Sequence, residues 1–305
     1  MLREMLMDTA KLMFKDGLMA GQRILVTGGG TGLGKEMAEA FLKLGAEVVI
    51  WGRRGGVLEE TAKELMDKHG GKVIAQATDI RNAEAIKESL DHLWASVGPV
   101  HGLVNNAAGN FISRTQDLSP RAFDAIANIV FHGTFYLTLD IGKRWIDQGI
   151  RGSVINILTT WVWNGSAFTV PSAMSKSGVR AMAESLAVEW GRYGIRFNNI
   201  APGPFPTKGA WERLSPGKQL DGDEDRTGNP LGRVGQMHEL ANLAVFLMGP
   251  GAEYVNGQTI AIDGAMYQAS GGNFSGLRAW DDAQWEAVRS MIKSSNEKDR
   301  AARTA

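Results

Sequence analysis

Short runs of apolar and β-branched residues alternate along the chain with longer segments in which apolar residues recur at helical spacing. In the first such segment, Leu33, Met37 and Phe41 repeat every four residues, which places them on one helix face. The strand-like runs lie at 23–27, 47–51, 72–77, 102–105, 153–158, 196–201 and 259–262. Because strands that alternate with helices form right-handed βαβ units, the sequence predicts an α/β fold. We expect a single doubly wound, seven-stranded parallel sheet with helices on both faces.

Three segments depart from this alternation. The first is 1–20, which is rich in methionine and predicts an N-terminal helical extension to the main domain at 21–270. The second is 202–230, which is rich in Pro, Gly and charge and follows the sixth predicted strand. Ligands bind at such strand ends, so we expect a substrate lid there, with a disordered loop as the alternative. The third is 271–305, where a helical tail with one helix over 282–292 is predicted.

Composition excludes several classes of function. Lys and Arg number 33, as do Asp and Glu, and a net charge of zero argues against a bulk electrostatic binder of nucleic acid. Cysteine is absent, which excludes disulfides, a thiolate nucleophile and Cys-ligated zinc. The five histidines show no metal-ligand spacing, so no metal site is predicted. No apolar run is long enough to predict a membrane span, and without a signal-peptide pattern we expect a cytoplasmic protein.

A glycine-rich turn follows the first predicted strand and opens a helix. Glycine lets the backbone approach a pyrophosphate closely, and the helix N-terminus offers free N–H groups to the phosphates. Its place between a strand and a helix favours a dinucleotide site in a Rossmann fold over a merely flexible turn. The residues predicted to contact the cofactor here are Gly28, Gly30, Thr31, Gly32, Leu33 and Gly34.

The end of the second predicted strand indicates which dinucleotide is bound. NAD-binding proteins place an Asp or Glu there, against the ribose 2′-hydroxyl. This chain instead has Arg53 and Arg54, whose guanidinium groups pair with a 2′-phosphate. The sequence therefore predicts NADP(H); two surface arginines at the start of a helix are the alternative interpretation.

Several motifs occur in order at the ends of predicted strands. They are Gly28-x-x-x-Gly32-x-Gly34, Asp79, the run 105–109 (Asn-Asn-Ala-Ala-Gly) and Pro202-Gly203. Together they resemble the short-chain dehydrogenases/reductases. Over nearly the whole chain, the sequence more closely resembles the mitochondrial-type 2,4-dienoyl-CoA reductases. The segments that carry this closer resemblance are 28–35, 105–111, 170–176, 187–193, 202–208 and the tail motif at 273–278.

The resemblance implies roles for individual residues. Asp79 would hold the adenine, Arg53 the 2′-phosphate and Lys176 the nicotinamide ribose. Further cofactor-binding residues that it implies are Ile80, Asn106, Ala107, Pro202, Gly203, Pro204 and Phe205. The implied acyl-CoA contacts are Arg81, Asn110, Phe111, Ser119 and Arg213. Asn110 would also help to hold the thioester carbonyl.

The resemblance also implies a reaction and an assembly. A hydride would pass from NADPH to the δ-carbon of a 2,4-dienoyl thioester in the β-oxidation of unsaturated fatty acids. The resulting dienolate would be protonated at the α-carbon to give a 3-enoyl-CoA, while the protein stabilises the developing enolate oxygen. A homotetramer is expected.

The residues expected to be catalytic are Lys176, Asn110, Trp161 and Ser172. The usual Tyr-x-x-x-Lys motif is incomplete, because Ser172 stands at the tyrosine position before Lys176. Val130 replaces the usual active-site asparagine. The dienoyl-CoA reductases share both departures. Among the nearby hydroxyls, Ser172 either binds substrate or caps its helix, and Thr159 or Thr160 is a further candidate for substrate contact.

Trp161 stands where these reductases have an active-site Tyr, fifteen residues before the Lys. An indole has one N–H donor and no proton to release. Three interpretations remain open: water protonates the α-carbon while Trp161 and Asn110 hold the carbonyl, Trp161 and Trp163 shape the pocket for another acyl-CoA, or turnover is small. The alternatives to dienoyl-CoA reduction are a reductase of enoyl or 3-oxoacyl thioesters and a non-catalytic protein that binds NADPH and acyl-CoA. Trp161 merely lining the cleft is the simplest alternative.

Overall fold

The computed structural model describes residues 7–207, 229–271 and 274–304 of the 305-residue chain. Its centre is a seven-stranded sheet in which each strand is parallel to its neighbours, in the order β3-β2-β1-β4-β5-β6-β7. The strands are β1 Arg23–Thr27, β2 Glu47–Gly52, β3 Val73–Ala77, β4 Gly102–Asn105, β5 Ser153–Ile157, β6 Arg196–Pro202 and β7 Thr259–Ile262. The predicted seven-stranded parallel sheet is confirmed.

The helices that the structure describes are α1 Gly32–Lys43, α2 Gly55–His69, α3 Ala83–Ser96, α4 Pro120–Ala127, α5 Thr134–Gln148, α6 Trp161–Asn164, α7 Val170–Glu189, α8 Met237–Met248, α9 Met266–Ser270 and α10 Asp282–Thr304. Helices α1 to α8 lie between successive strands, and α9 and α10 follow β7. A π-helical segment, Asn128–Gly133, joins α4 to α5.

The helices cover both faces of the sheet, and each face has its own apolar core. On one face, Ile24 of β1 belongs to a cluster with Phe41 of α1 and Leu240 of α8. On the other face, Leu25 belongs to a cluster with Ile141 of α5. Neighbouring residues of β1 enter different cores because successive strand side chains point to opposite faces. The sheet is therefore doubly wound, as predicted.

The strand order fixes where a ligand binds. The chain adds strands on one side as far as β3 and then crosses to the other side of β1, where β4 pairs with it. Loops that leave β1 and β4 diverge at this switch point, and ligands of open α/β sheets lie in the resulting crevice. The glycine turn follows β1 and the run 105–109 begins at the last residue of β4, so both lie at this crevice.

A row of buried polar side chains crosses four neighbouring strands. Asn105, Asn156, Asn199 and Thr259 are paired in register across β4 to β7, and we call them the asparagine ladder. Each amide nitrogen donates to the next residue along the row, at 2.9, 2.9 and 3.0 Å. Asn105 Nδ2 also donates to Thr138 Oγ1 on α5, at 3.0 Å. Because buried amides are costly unless bonded, the ladder holds these strand ends in one register.

The observed elements differ from the predicted ones in a few places. Four strands differ by one residue at one end, where side-chain pattern gives no signal. The helix expected over 1–20 is not formed in the part that the structure describes. There the chain makes one 3-10 turn, Thr9–Lys11, and then further turns through Gly17, whose φ is +76°. In the tail, α10 extends to Thr304 rather than 292, because neither Pro nor Gly interrupts the sequence beyond 292.

The N-terminal segment is fastened to the helices at two points. The Met7 N–H donates to the buried carboxylate of Glu36 on α1, at 2.8 Å. On α8, Asn242 accepts from the N–H of Met13 and donates to the carbonyl of Lys11. Burial, followed by the neighbouring charge of Glu39, raises the pKa of Glu36 from 4.5 to about 7.

Glu36→Gln is expected to stabilise the protein at alkaline pH. The pKa of Glu36 is higher in the folded state, so its contribution to stability is lost as pH rises from about 4.5 through 7, a change of about 3 kcal/mol. Glutamine keeps an oxygen acceptor for Met7 and does not titrate. Chemical unfolding at pH 5 to 8 measures this difference. The exposed Glu60→Gln serves as control, and an unaltered pH slope in Glu36→Gln would contradict the assignment.

The chain divides into two compact units, Met1–Tyr267 and Gln268–Ala305. The domain limits expected from the sequence, at 20 and 270, stay predictions. Among the helices of the described ranges, none has the length and apolarity needed to cross a membrane.

Candidate active site

The glycine turn after β1 is packed too tightly for side chains. A Cβ atom at Gly34 would lie 2.5 Å from Asn106 Nδ2 and closer still to the carbonyl oxygen of Gly28. At Gly28, whose φ is +66°, a Cβ would lie 2.9 Å from the same Asn106 nitrogen. The turn thus brings bare backbone to the crevice, as a pyrophosphate site requires.

Hydrogen bonds from the β4 side hold this turn in place. Thr27 Oγ1 accepts from the backbone N–H groups of Asn106 and Ala107, both at 3.0 Å. Asn106 Nδ2 donates to the carbonyl of Thr27 at 2.9 Å. Thr31 precedes α1 without a capping side-chain bond, which leaves the first N–H groups of α1 for a ligand. These residues fit a dinucleotide. Leu33, by contrast, packs against the apolar core, so only its backbone faces such a ligand.

Two arginines follow β2, as the sequence predicts. Arg53 and Arg54 are exposed, and neither guanidinium pairs with a carboxylate among the described residues. Asp79, beyond β3, instead binds Arg81 through Nε–Oδ1 at 2.9 Å and Nη2–Oδ2 at 2.5 Å. This hydrogen bonding lowers the pKa of Asp79, to which the Arg53 charge also contributes. Arg53 and Arg54 are therefore the cations here that remain for a phosphate, while Arg81 already has a partner.

The chain after β6 returns to the glycine turn. A Cβ at Gly32 would lie 3.5 Å from the Thr207 side chain. Phe205 is buried against Gly235, whose N–H donates to the carbonyl of Pro204 at 2.9 Å. The predicted nicotinamide segment thus lies beside the predicted phosphate segment. The rest of the predicted lid, with Arg213, lies outside the described residues.

At this edge of the sheet, Lys176 is the group whose pKa is shifted most strongly. Only 6% of the residue is exposed, and its Nζ donates to the carbonyl of Ile157 at the end of β5. Burial lowers its pKa from 10.5 to about 8. Ser172, one turn earlier on α7, shares this helix face and is also buried. The predicted pair therefore lies together beside the end of β5.

Asn110 lies in the loop after β4 with its amide oriented. Its Oδ1 accepts from the Phe111 N–H at 2.9 Å, and Nδ2 makes no bond to a described residue. Ser119 is farther along and caps α4 by accepting from the Ala122 N–H at 3.2 Å. Ile80, predicted to touch the cofactor, is buried against Gly133. The amide donor of Asn110 is thus available to a ligand, whereas the side chains of Ser119 and Ile80 cap α4 and pack against Gly133.

Trp161 begins α6, directly after the segment that leaves β5. It is half-buried, and its indole N–H bonds to no described residue. Thr159 Oγ1, two residues earlier, is buried with no hydrogen-bond partner in the described structure. Because buried hydroxyls are normally bonded, this one fits a role toward a bound group. Asn110 and Trp161, two N–H donors without a partner in the described structure, thus lie in the loops that follow β4 and β5.

Three features of this edge escaped the sequence prediction. The asparagine ladder was signalled only by Asn residues inside apolar strands. Asp263, just after β7, accepts from the N–H groups of Ala265 and Tyr267, at 3.0 and 2.9 Å. Tyr267 in turn stacks on Trp163 of α6. No local sequence pattern predicts this stack, because it joins residues about 100 positions apart in the chain.

Comparison with known proteins identifies the family. Residues 28–266 match the family model described as enoyl-(acyl carrier protein) reductase. The chain belongs to the short-chain dehydrogenase/reductase family of oxidoreductases. Members of this family use nicotinamide cofactors, which agrees with the glycine turn. Within the described ranges, no three His, Asp or Glu side chains converge to hold a metal ion.

The individual proteins to which the chain is similar support this family assignment. The Caenorhabditis elegans protein named probable 2,4-dienoyl-CoA reductase decr-1.2, (3E)-enoyl-CoA-producing, is 41% identical, over 94% of either chain. A Bacillus subtilis probable 2,4-dienoyl-CoA reductase, (2E)-enoyl-CoA-producing, is 39% identical over 82% of this chain and 98% of its own. The crystal structure of a Bacillus anthracis short-chain dehydrogenase superposes with a TM-score of 0.74 at 40% identity, over 82% of this chain and 98% of that one. The resemblance stated from the motifs is confirmed; the roles of single residues stay predictions.

Proposed function

We propose that this protein is an NADPH-dependent reductase of 2,4-dienoyl-CoA thioesters in the β-oxidation of unsaturated fatty acids. The observation that carries the proposal is the active-site composition: a buried Lys176 without the usual tyrosine, and two N–H donors, Asn110 and Trp161, at the same edge of the sheet. Carbonyl reduction needs a proton donor at the carbonyl oxygen. Enoyl thioester reduction needs stabilisation of an enolate oxygen, which amide and indole donors supply.

Different residues of the cleft bind the cofactor and stabilise the enolate oxygen. Bound NADPH supplies the hydride. The glycine turn and the α1 N-terminus hold the phosphates, and Lys176 binds the nicotinamide ribose. Asn110 Nδ2, oriented by the Phe111 N–H, donates to the thioester oxygen, and Trp161 Nε1 donates beside it. Because indole releases no proton, water delivers the proton to the α-carbon.

The proposal is tested by following NADPH consumption with 2,4-dienoyl-CoA, 2-enoyl-CoA and 3-oxoacyl-CoA in parallel. We expect the dienoyl thioester to have the highest kcat/KM. A higher value for either other thioester would replace the proposed substrate. Binding of NADPH without consumption of any thioester would indicate a non-catalytic binding protein.

Trp161→Tyr is expected to raise kcat for dienoyl-CoA by about tenfold or more, because a phenol both donates a hydrogen bond and supplies a proton. Trp161→Phe, which lacks a donor, is the matched control and is expected to lower kcat by about 100-fold. Stopped-flow measurement of NADPH oxidation separates these rates. An unchanged or lower rate in Trp161→Tyr would overturn the role given to Trp161.

The preference for NADPH is assigned to Arg53 and Arg54, which have no carboxylate partner among the described residues. Arg53→Ala is expected to weaken NADPH binding by about 10- to 100-fold, the value of one charge-assisted hydrogen bond. The affinity for NADH should not change, because NADH lacks the 2′-phosphate. Fluorescence titration measures both, and equal losses for the two cofactors would contradict the assignment.

We also propose that this protein forms a homotetramer in the cytoplasm. Exposed apolar side chains support assembly: Phe131 in the π-helical segment, Phe135 at the start of α5, and Met174 and Val188 on one stripe of α7. Apolar faces of this extent on adjacent helices are typical of subunit interfaces. Light scattering on the purified protein measures the oligomer.

A further inference from the structure

Helix α6, which carries Trp161, is a single turn of four residues, Trp161–Asn164. A turn of this length has little stability of its own, so its orientation depends on tertiary contacts. Trp163 supplies them, because it packs on the small core of Leu158, Val179 and Ala201. Residues two apart on a helix point about 200° apart. Anchoring Trp163 in the core therefore directs Trp161 to the opposite side of the turn.

Trp163 is held from two further directions. Tyr267 stacks on its ring with centroids 4.6 Å apart and planes inclined by 16°. The Arg180 guanidinium of α7 lies 5.6 Å from the same ring. Tyr267 is itself placed by the Tyr267 N–H bond to the buried Asp263 carboxylate after β7. The stack thus connects the chain after β7 and helix α7 to the turn that carries Trp161.

The other end of the segment between β5 and α7 is also fixed. Phe168 has a φ of +65°, a left-handed conformation that is costly for a bulky residue. Its carbonyl accepts from the N–H of Ser113 at 2.9 Å, in the loop that carries Asn110. The second non-glycine residue with positive φ in the described ranges is Ala265, two residues before Tyr267. Backbone with positive φ at a non-glycine residue therefore occurs in the segment that carries Trp161 and in the segment that supplies Tyr267.

We propose that Trp163 and Tyr267 are positioning residues, whose stack sets the place of the Trp161 indole relative to the substrate carbonyl. This inference rests on the proposed function, because the role of Trp161 comes from it. The stack acts on kcat through Trp161, whereas the cofactor phosphates are assigned to the glycine turn after β1 and to Arg53 after β2, two strands that lie beyond β4 from the stack.

A double-mutant cycle tests the proposal. Tyr267→Ala is expected to lower kcat with dienoyl-CoA by about tenfold or more, with an unchanged dissociation constant for NADPH. In a Trp161→Phe background the same substitution should have little further effect, because the group that it positions is gone. Tyr267→Phe keeps the ring and should restore the wild-type rate. Tyr254→Ala, at a fully exposed tyrosine, is the control.

Two outcomes would overturn the proposal: equal losses for Tyr267→Ala in both backgrounds, or a loss in Tyr267→Phe as large as in Tyr267→Ala. The same cycle is run on binding of hexanoyl-CoA, a saturated thioester that accepts no hydride, by calorimetry. If none of the three thioesters causes the wild type to oxidise NADPH, the proposed function is wrong. Coupling between positions 161 and 267 in hexanoyl-CoA affinity would still support the positioning role, and additive effects would refute it.

Discussion

Lys176→Met is expected to reduce kcat/KM for dienoyl-CoA by about 100-fold or more. Lys176 is buried and bonded to the carbonyl of Ile157, so its ammonium is held at one place beside the cofactor site. Methionine fills the space but offers neither charge nor donor, and misplacement of a bound reactant by about 1 Å has effects of this size. Steady-state rates at saturating NADPH measure the loss.

The pH dependence of the wild type checks the same assignment. Burial lowers the pKa of Lys176 to about 8, so kcat/KM should fall as pH rises through 8 and the ammonium is lost. Between about pH 8 and 10.5 the folded state binds fewer protons than the unfolded chain. The free energy of unfolding should therefore rise with pH in this window, and Lys176→Met should abolish the rise. The exposed Lys143→Met is the control; a profile without a transition near 8 would contradict the role of Lys176.

Gly34→Ala is expected to weaken NADPH binding by about 100-fold. The new Cβ would overlap the backbone carbonyl oxygen of Gly28 and lie 2.5 Å from Asn106 Nδ2, which is held by its bond to the carbonyl of Thr27. To relieve the overlap, α1 must move away from the turn, which displaces the N–H groups that bind phosphate. Overpacking of this kind also destabilises a protein by about 1–3 kcal/mol. Calorimetric titration and thermal unfolding measure both effects.

The matched control is Gly56→Ala, the same substitution in the first turn of α2. A Cβ at Gly56 meets nothing within 4 Å, so the change should stabilise the helix by about 0.5–1 kcal/mol and leave NADPH affinity unchanged. Wild-type affinity in Gly34→Ala would show that the glycine turn does not bind the phosphates.

The fold was predictable because its signals are local. Apolar runs and helical spacing identify most elements from residues within one window, and handedness rules then favour a doubly wound parallel sheet. Within residues 7–20 the helix expected at the N-terminus is not formed, since methionine content alone does not exclude turns through Gly17. The contacts of this segment are instead Met7 with Glu36, 29 residues away, and Met13 with Asn242, 229 residues away, which no local pattern reveals.

For the candidate site, too, the sequence predicts the residues that belong to local motifs. The glycine turn, Arg53 and Lys176 follow strand ends in a fixed order, so a motif locates them. The partners of these residues were not predictable. That Tyr267 stacks on Trp163 and that Asn156 joins the asparagine ladder depend on side-chain packing between separate loops and strands.

The asparagine ladder also bears on how the molecule opens. Its hydrogen bonds run in one direction from Asn105 to Thr259, so no rung can rotate without breaking the bond to the next. The four strands β4 to β7 are thereby coupled as one cooperative unit of local unfolding. Strands β2 and β3, on the other side of β1, lie outside it. The half of the sheet that carries Lys176 and Trp161 at its edge is therefore the half whose amide protons should exchange together and last.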